Sequence, residues 1–149
     1  MNAPTELGFS SNGRADAQTV AEFRNAFAQW LRENFALDPE RFNDVLLAVN
    51  EALTNSAEFA YVGRADGGTM SVTARYNAED RRLVTTVADQ GAWLHKEPDG
   101  TPNTRGRGIE LMRALSDRAT IDRTPTGTQV RLEFDGCPLL SQEPFATSA

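Results

Sequence analysis

Val20, Phe23, Phe27, Trp30 and Leu31 recur at three- and four-residue spacing. That period lines them up on one stripe and predicts an amphipathic helix from Asp16 to between Asn34 and Leu37. A second helix opens with Asp38 as N-cap and Pro39 in its first turn. It carries Phe42, Val45, Leu46, Val49, Ala52 and Leu53 and runs to about Phe59 or Tyr61. Past the turn-rich stretch 63–68 the period falls to two. Met70, Val72, Ala74 and Tyr76 alternate with Ser71, Thr73 and Arg75, the pattern of a half-buried strand. Asn77-Ala78-Glu79-Asp80 reads as a hairpin turn, and Arg82 to Ala88 as a return strand apolar enough to lie centrally in its sheet. Residues 90–107 are rich in Gly, Pro, Asp, Asn and Thr. A loop of that length inside a domain is usually functional. A third helix is expected from Gly108 to Leu115. Strands follow at Arg118–Arg123 and Gln129–Phe134, joined across Pro125-Thr126-Gly127.

Helices and strands are partly segregated, and one loop-plus-helix crossover joins the hairpins. The expected class is therefore α+β, a two-layer sandwich with a mixed, mostly antiparallel sheet covered by helices on one face. Residues 1–15 form an N-terminal segment in which Leu7-Gly8-Phe9 suits an edge strand, 16–135 form the domain, and 136–149 form a tail without periodicity.

The rarest residues narrow the chemistry. The chain has one cysteine (Cys137), one histidine (His95) and one lysine (Lys96), so an intrachain disulfide is impossible and a Cys/His zinc site lacks ligands. A Walker A loop needs Gly-Lys-Ser/Thr, and Lys96 precedes Glu97. A Ser-His-Asp triad would rest on His95, within a stretch that holds a base poorly. The net charge of −6 argues against direct nucleic-acid binding. No apolar run approaches the length of a membrane span, and no secretory leader is legible, so no membrane is expected and the cytoplasm is.

Four short elements remain. Glu51 and Asn55 stand four apart in Asn50-Glu51-Ala52-Leu53-Thr54-Asn55 and share a helical face. A carboxamide oxygen is a hard ligand for Mg2+ and a carboxylate can take a proton from an attacking hydroxyl, although a solvated helix edge would look the same. Asp89-Gln90-Gly91 ends a buried strand with an acid able to accept an exocyclic amine such as that of adenine. Arg105-Gly106-Arg107-Gly108 leads into a helix N-terminus, which offers free N–H groups and partial positive charge to phosphate. The third glycine of the dinucleotide fingerprint is missing and no strand directly precedes it, so that reading is rejected. Gly127-Thr128 opens the last strand.

In this order the four elements resemble the N, G1, G2 and G3 boxes of the GHKL ATP-binding superfamily. The phrases AVNEALTNSAEFAY, GRGIELMRALSDRATID and GTQVRLEF look most like the anti-sigma-factor serine/threonine kinases of the SpoIIAB and RsbW type, over residues 5 to 135. The resemblance implies a Bergerat fold that binds ATP with Mg2+. In it Asn55 is the metal ligand, Glu51 the catalytic base, Asp89 the adenine acceptor and Gly91 the first G1 glycine. Gly106 and Gly108 form the phosphate turn and Thr128 lies near adenine. Arg105 and Arg107 flank the turn as candidate phosphate contacts. G1 is normally DxGxG, and here Trp93 replaces its second glycine, where an indole can stack on or partly cover the ring, or simply redirect the loop that follows. The implied function is phosphorylation of a STAS-type anti-sigma-factor antagonist and sequestration of a sigma factor by a homodimer. The alternative is a non-catalytic, ATP-dependent module that sequesters a sigma factor or other regulator.

Overall fold

The computed structural model describes residues 6–60, 67–91 and 107–140. Their elements run β1 (Glu6–Arg14), α1 (Ala17–Asn34), α2 (Pro39–Phe59), β2 (Thr69–Asn77), β3 (Arg82–Asp89), α3 (Arg107–Leu115), β4 (Arg118–Thr124) and β5 (Gly127–Phe134). The helix starts are chemically determined. The Asp16 carboxylate accepts the Thr19 N–H at 2.8 Å and that of Asp38 accepts Arg41 N–H at 2.7 Å, each satisfying an orphan donor of the first turn. The backbone hydrogen bond from Thr19 holds the Asp16 carboxyl below its ordinary pKa.

The sheet order is β1-β2-β3-β5-β4, and all four ladders are antiparallel. The crossover through α3 returns β4 in the same direction as β3. The tight β4–β5 turn then inserts β5 between them, so the described strands have no parallel neighbours. β3 is central, and β1, longer than the Leu7–Phe9 core suggests, forms one edge.

One face of the sheet carries the core. Met70, Val72, Ala74 and Tyr76 of β2, Leu83 and Val87 of β3, and Val130, Leu132 and Phe134 of β5 are buried with Phe23, Phe27 and Leu31 of α1 and Val45, Ala48, Val49, Ala52 and Leu53 of α2. Aromatic rings run from Phe9 through Phe27, Trp30 and Phe35 to Tyr76, with centroids 5.0–5.8 Å apart, and bind β1 and the end of α1 to the sheet.

Thr85 is fully buried in this layer and its Oγ1 has no hydrogen-bond partner among the described residues. An unpaired buried hydroxyl carries its desolvation cost without return. Thr85→Val keeps the branched shape and is expected to raise the urea unfolding free energy by ~1 kcal/mol at unchanged m-value; an unchanged or lower value would contradict this.

At one end of the sandwich, the Arg41 guanidinium reaches Asp117 Oδ2 at 2.7 Å and the Asp135 carbonyl at 2.6 Å, while Asp135 N–H donates to Asp117. Burial would raise the Asp117 carboxyl, but the Asp135 N–H and Arg41 outweigh it and hold it low. This knot pins the N-terminal turn of α2 to the ends of α3 and β5. Cys137 lies beside it, fully buried, and Tyr76 Oη donates to its carbonyl. Burial pushes the thiol pKa up, against the opposing pull of Arg41, so the group remains a protonated packing residue. Leu139 then bridges to Phe35.

Candidate functional site

At the opposite end from that knot, the C-terminal half of α2 passes the end of β3 and the starts of β5 and α3. Ala52 and Leu53 face the core, fully buried. The rotation of 100° per residue then leaves Glu51 and Asn55 on the flank that meets α3, with Asn55 only 4% exposed. Gly108, in the first turn of α3, packs directly on this flank. A Cβ there would lie 3.0 Å from Glu51 Oε1 and 3.4–3.5 Å from the Asn55 amide atoms. Lack of a side chain at Gly108 therefore lets the helix start come close to a carboxylate and a carboxamide, and places free N–H groups and partial positive charge beside them.

The second half of the site is built by the sheet. Asp89 ends β3 with its side chain on the core face, 6% exposed, paired across the ladders with Met70 and Thr128. Its Oδ2 accepts the Ser56 hydroxyl at 2.7 Å, and its Oδ1 accepts the Gly91 N–H at 3.2 Å. Thr128 is 3% exposed, and its Oγ1 has no hydrogen-bond partner among the described residues. Gly127 lies so close to the end of β3 that a Cβ would stand 2.8 Å from the Asp89 carbonyl oxygen. No strand with a side chain at that point could keep the β3–β5 register.

The arrangement joins two chemically distinct ends. Glu51, Asn55 and the start of α3 offer a proton acceptor, a hard oxygen ligand and an anion-binding helix terminus. Asp89, Gly91 and Thr128 offer a buried carboxylate, a backbone bare of a side chain and a hydroxyl without a partner among the described residues. Asn55 and Ser56 are consecutive residues of α2, so the helix itself links the two ends. Six of the ten expected site residues, Glu51, Asn55, Asp89, Gly91, Gly108 and Thr128, thus fall in one region. Arg107 begins α3. Trp93, Arg105 and Gly106 lie outside the described residues, as do His95 and Lys96.

Sequence reading did not single out Ser56 or the close approach at Gly127. Ser56 sits inside the quoted phrase AVNEALTNSAEFAY, one step round the helix from Asn55. A small polar residue on a face otherwise occupied by Ala52, Leu53 and Val49 was the available signal. Among the described residues no group of three or more His, Cys, Asp or Glu side chains is placed to hold a metal. No helix among them is long and apolar enough to cross a membrane.

Residues 13–134 match the family profile of the histidine kinase-like ATPase domain. A serine-protein kinase RsbW of Bacillus pumilus is 31% identical over 108 residues, which cover 64% of this chain and 66% of that one. The serine-protein kinase RsbW of Listeria innocua is 32% identical over 77 residues, covering 50% and 47%. The chain thus spans less than two thirds of either relative. The solved RsbU and RsbW domains of Rv1364c from Mycobacterium tuberculosis superpose with a TM-score of 0.68 at 21% identity, over 89% of this chain and 32% of that one, a likeness of fold. A histidine kinase domain from Erythrobacter litoralis gives a TM-score of 0.50 at 25% identity, over 72% and 48%.

Proposed function

Because the chain belongs to the histidine kinase-like ATPase domain family and is similar to its RsbW serine-protein kinases, we propose that it transfers the γ-phosphoryl group of ATP to a protein serine. The observation that carries the reading is the placement of Gly108 against both Glu51 and Asn55, the latter directly before Ser56, which bonds Asp89.

The residues suit the ligand. The orphaned Thr128 hydroxyl and the Asp89 carboxylate provide an acceptor and a rotatable donor for the base, and the bare Gly108 leaves room for phosphate oxygens at the start of α3. Mg2+ would be held by the Asn55 amide oxygen with its remaining positions on phosphate and water, and would neutralise charge on the triphosphate. Glu51 accepts the proton of the substrate serine as its Oγ bonds to the γ-phosphorus and the bridging oxygen departs with ADP. The α3 N-terminus stabilises the negative charge on the transferred group through its backbone N–H donors. Arg105 and Arg107 are candidate phosphate contacts in this reading, and Trp93 a candidate contact to the nucleotide.

The proposal extends to partners. The serine belongs to a STAS-type anti-sigma-factor antagonist, and a sigma factor competes for the same protein, which acts as a cytoplasmic homodimer. Incubation of the purified chain with γ-labelled Mg-ATP and candidate antagonists from the same genome tests this. The expected product is acid-stable, base-labile phosphoserine on one antagonist. Tight ATP binding with no transfer to any of them would overturn the kinase reading in favour of the non-catalytic module.

A further inference from the structure

Ser56 is 1% exposed and bonds nothing in its own helix that would explain a hydroxyl there; its Oγ lies 2.7 Å from Asp89 Oδ2. A carboxylate only accepts, so the serine donates, which fixes the direction of its proton. The second oxygen of Asp89 takes the Gly91 N–H at 3.2 Å. The two donors come from different places, one from α2 and one from the chain just past β3. The terminal torsion of an aspartate is broad and roughly twofold, so packing alone would let the carboxylate plane turn. The Ser56 bond, shorter than that from Gly91 and made from α2, resists that turn.

We propose that Ser56 is a positioning residue for purine choice: by holding Oδ2 it sets the plane of the Asp89 carboxylate so that the site accepts an amino group at C6 of the purine and refuses an oxo group. The inference rests on the ATP reading of the same site. A carboxylate fixed in this plane presents acceptors to the base edge. An exocyclic amine satisfies one of them, whereas a 6-oxo group sets acceptor against acceptor and leaves both unpaired, the arrangement by which polar sites discriminate most strongly. A carboxylate free to turn would lose the alignment with the amine and with it the penalty against the oxo group. Ser56 touches the base only through Asp89, so its loss is felt by ligands that carry the amine and not by those that lack it.

The test compares ATP with purine riboside 5′-triphosphate, which has the same ring and triphosphate with hydrogen at C6. Titration calorimetry on the full chain uses the wild type, Ser56→Ala and Ser56→Cys, the last near-isosteric with a weaker donor. Ser56→Ala is expected to weaken ATP about five- to tenfold and leave the amine-free nucleotide unchanged, with Ser56→Cys between. Equal losses for both nucleotides, the mark of a packing role, overturn the inference, and so does no loss for either. Should the alanine variant fail to fold, the cysteine variant is titrated with the same two nucleotides, and a loss confined to ATP again supports the inference while equal losses or none overturn it. A wild type that binds ATP no better than the amine-free nucleotide overturns the ATP reading itself, a result distinct from failure at Ser56.

Discussion

Glu51→Gln is expected to lower the rate of phosphoserine formation by about 10²–10⁴-fold while ATP affinity stays within about threefold of the wild type. The substitution keeps the length, the helix propensity and a side-chain oxygen near Gly108, and removes the capacity to take a proton. Glu51 lies with its Oε1 close against the start of α3, on the half-buried flank of α2. A carboxamide there still packs, so a loss confined to turnover separates proton acceptance from nucleotide holding. A single-turnover assay with a fixed antagonist, read beside calorimetric ATP binding, provides both numbers. Transfer at the wild-type rate would show that another group handles the serine proton. Parallel loss of binding and turnover would show that Glu51 holds the ligand.

The second large effect lies at a residue with no functional group. Gly127→Ala would place a methyl 2.8 Å from the Asp89 carbonyl oxygen and 3.5 Å from Gln90 Cα. Both obstacles are backbone, so no rotamer relieves the clash, and the end of the β3–β5 ladder must open. We expect a loss of ~2–3 kcal/mol in unfolding free energy, the upper range for overpacking, with ATP affinity lowered about tenfold or more because Asp89 and Thr128 face each other across that rung. Urea unfolding and calorimetry measure the two separately. At Gly108 the outcome differs. There the obstacles are the tips of Glu51 and Asn55, which can yield, so Gly108→Ala disturbs the chemistry more than the fold. A Gly127→Ala protein with wild-type stability would contradict the register described for β3 and β5.

Much of this was legible in the chain. Both long helices announce themselves by aspartate caps and by apolar residues at helical period, because a helix must satisfy its first N–H groups and bury one stripe. The β2–β3 hairpin shows in the alternation of Met70 to Tyr76, since one face of an antiparallel sheet is buried. Glu51 and Asn55 were found because four residues apart means one face of a helix, a local rule. A serine on the apolar face of Val49, Ala52 and Leu53 is visible in the chain, but its partner, 33 positions away, is not. Gly127 reads in the chain as the close of a turn and the opening of a strand, yet its constraint is the backbone of another strand. The same holds for residues 136–140. They have no periodicity, but Cys137 and Leu139 dock on Arg81 and Phe35 through backbone groups, which any sequence supplies. The order of strands, with β5 inserted between β3 and β4, likewise follows from long-range pairing and leaves no local trace.

Asp89→Asn tests most directly the proposal that Asp89, Thr128 and Gly91 together receive the adenine of ATP. Asp89 receives hydrogen bonds on both oxygens, from Ser56 and from Gly91. An amide has one acceptor oxygen, and the Gly91 N–H, unlike the Ser56 hydroxyl, cannot reverse its role, so the amide oxygen turns to Gly91 and the negative charge is gone. Titration calorimetry with Mg-ATP is predicted to show one site in the wild type and affinity weakened by about 10- to 100-fold in Asp89→Asn, the range for losing a hydrogen bond to a charged group. Equal ATP affinity in the two proteins would contradict the account.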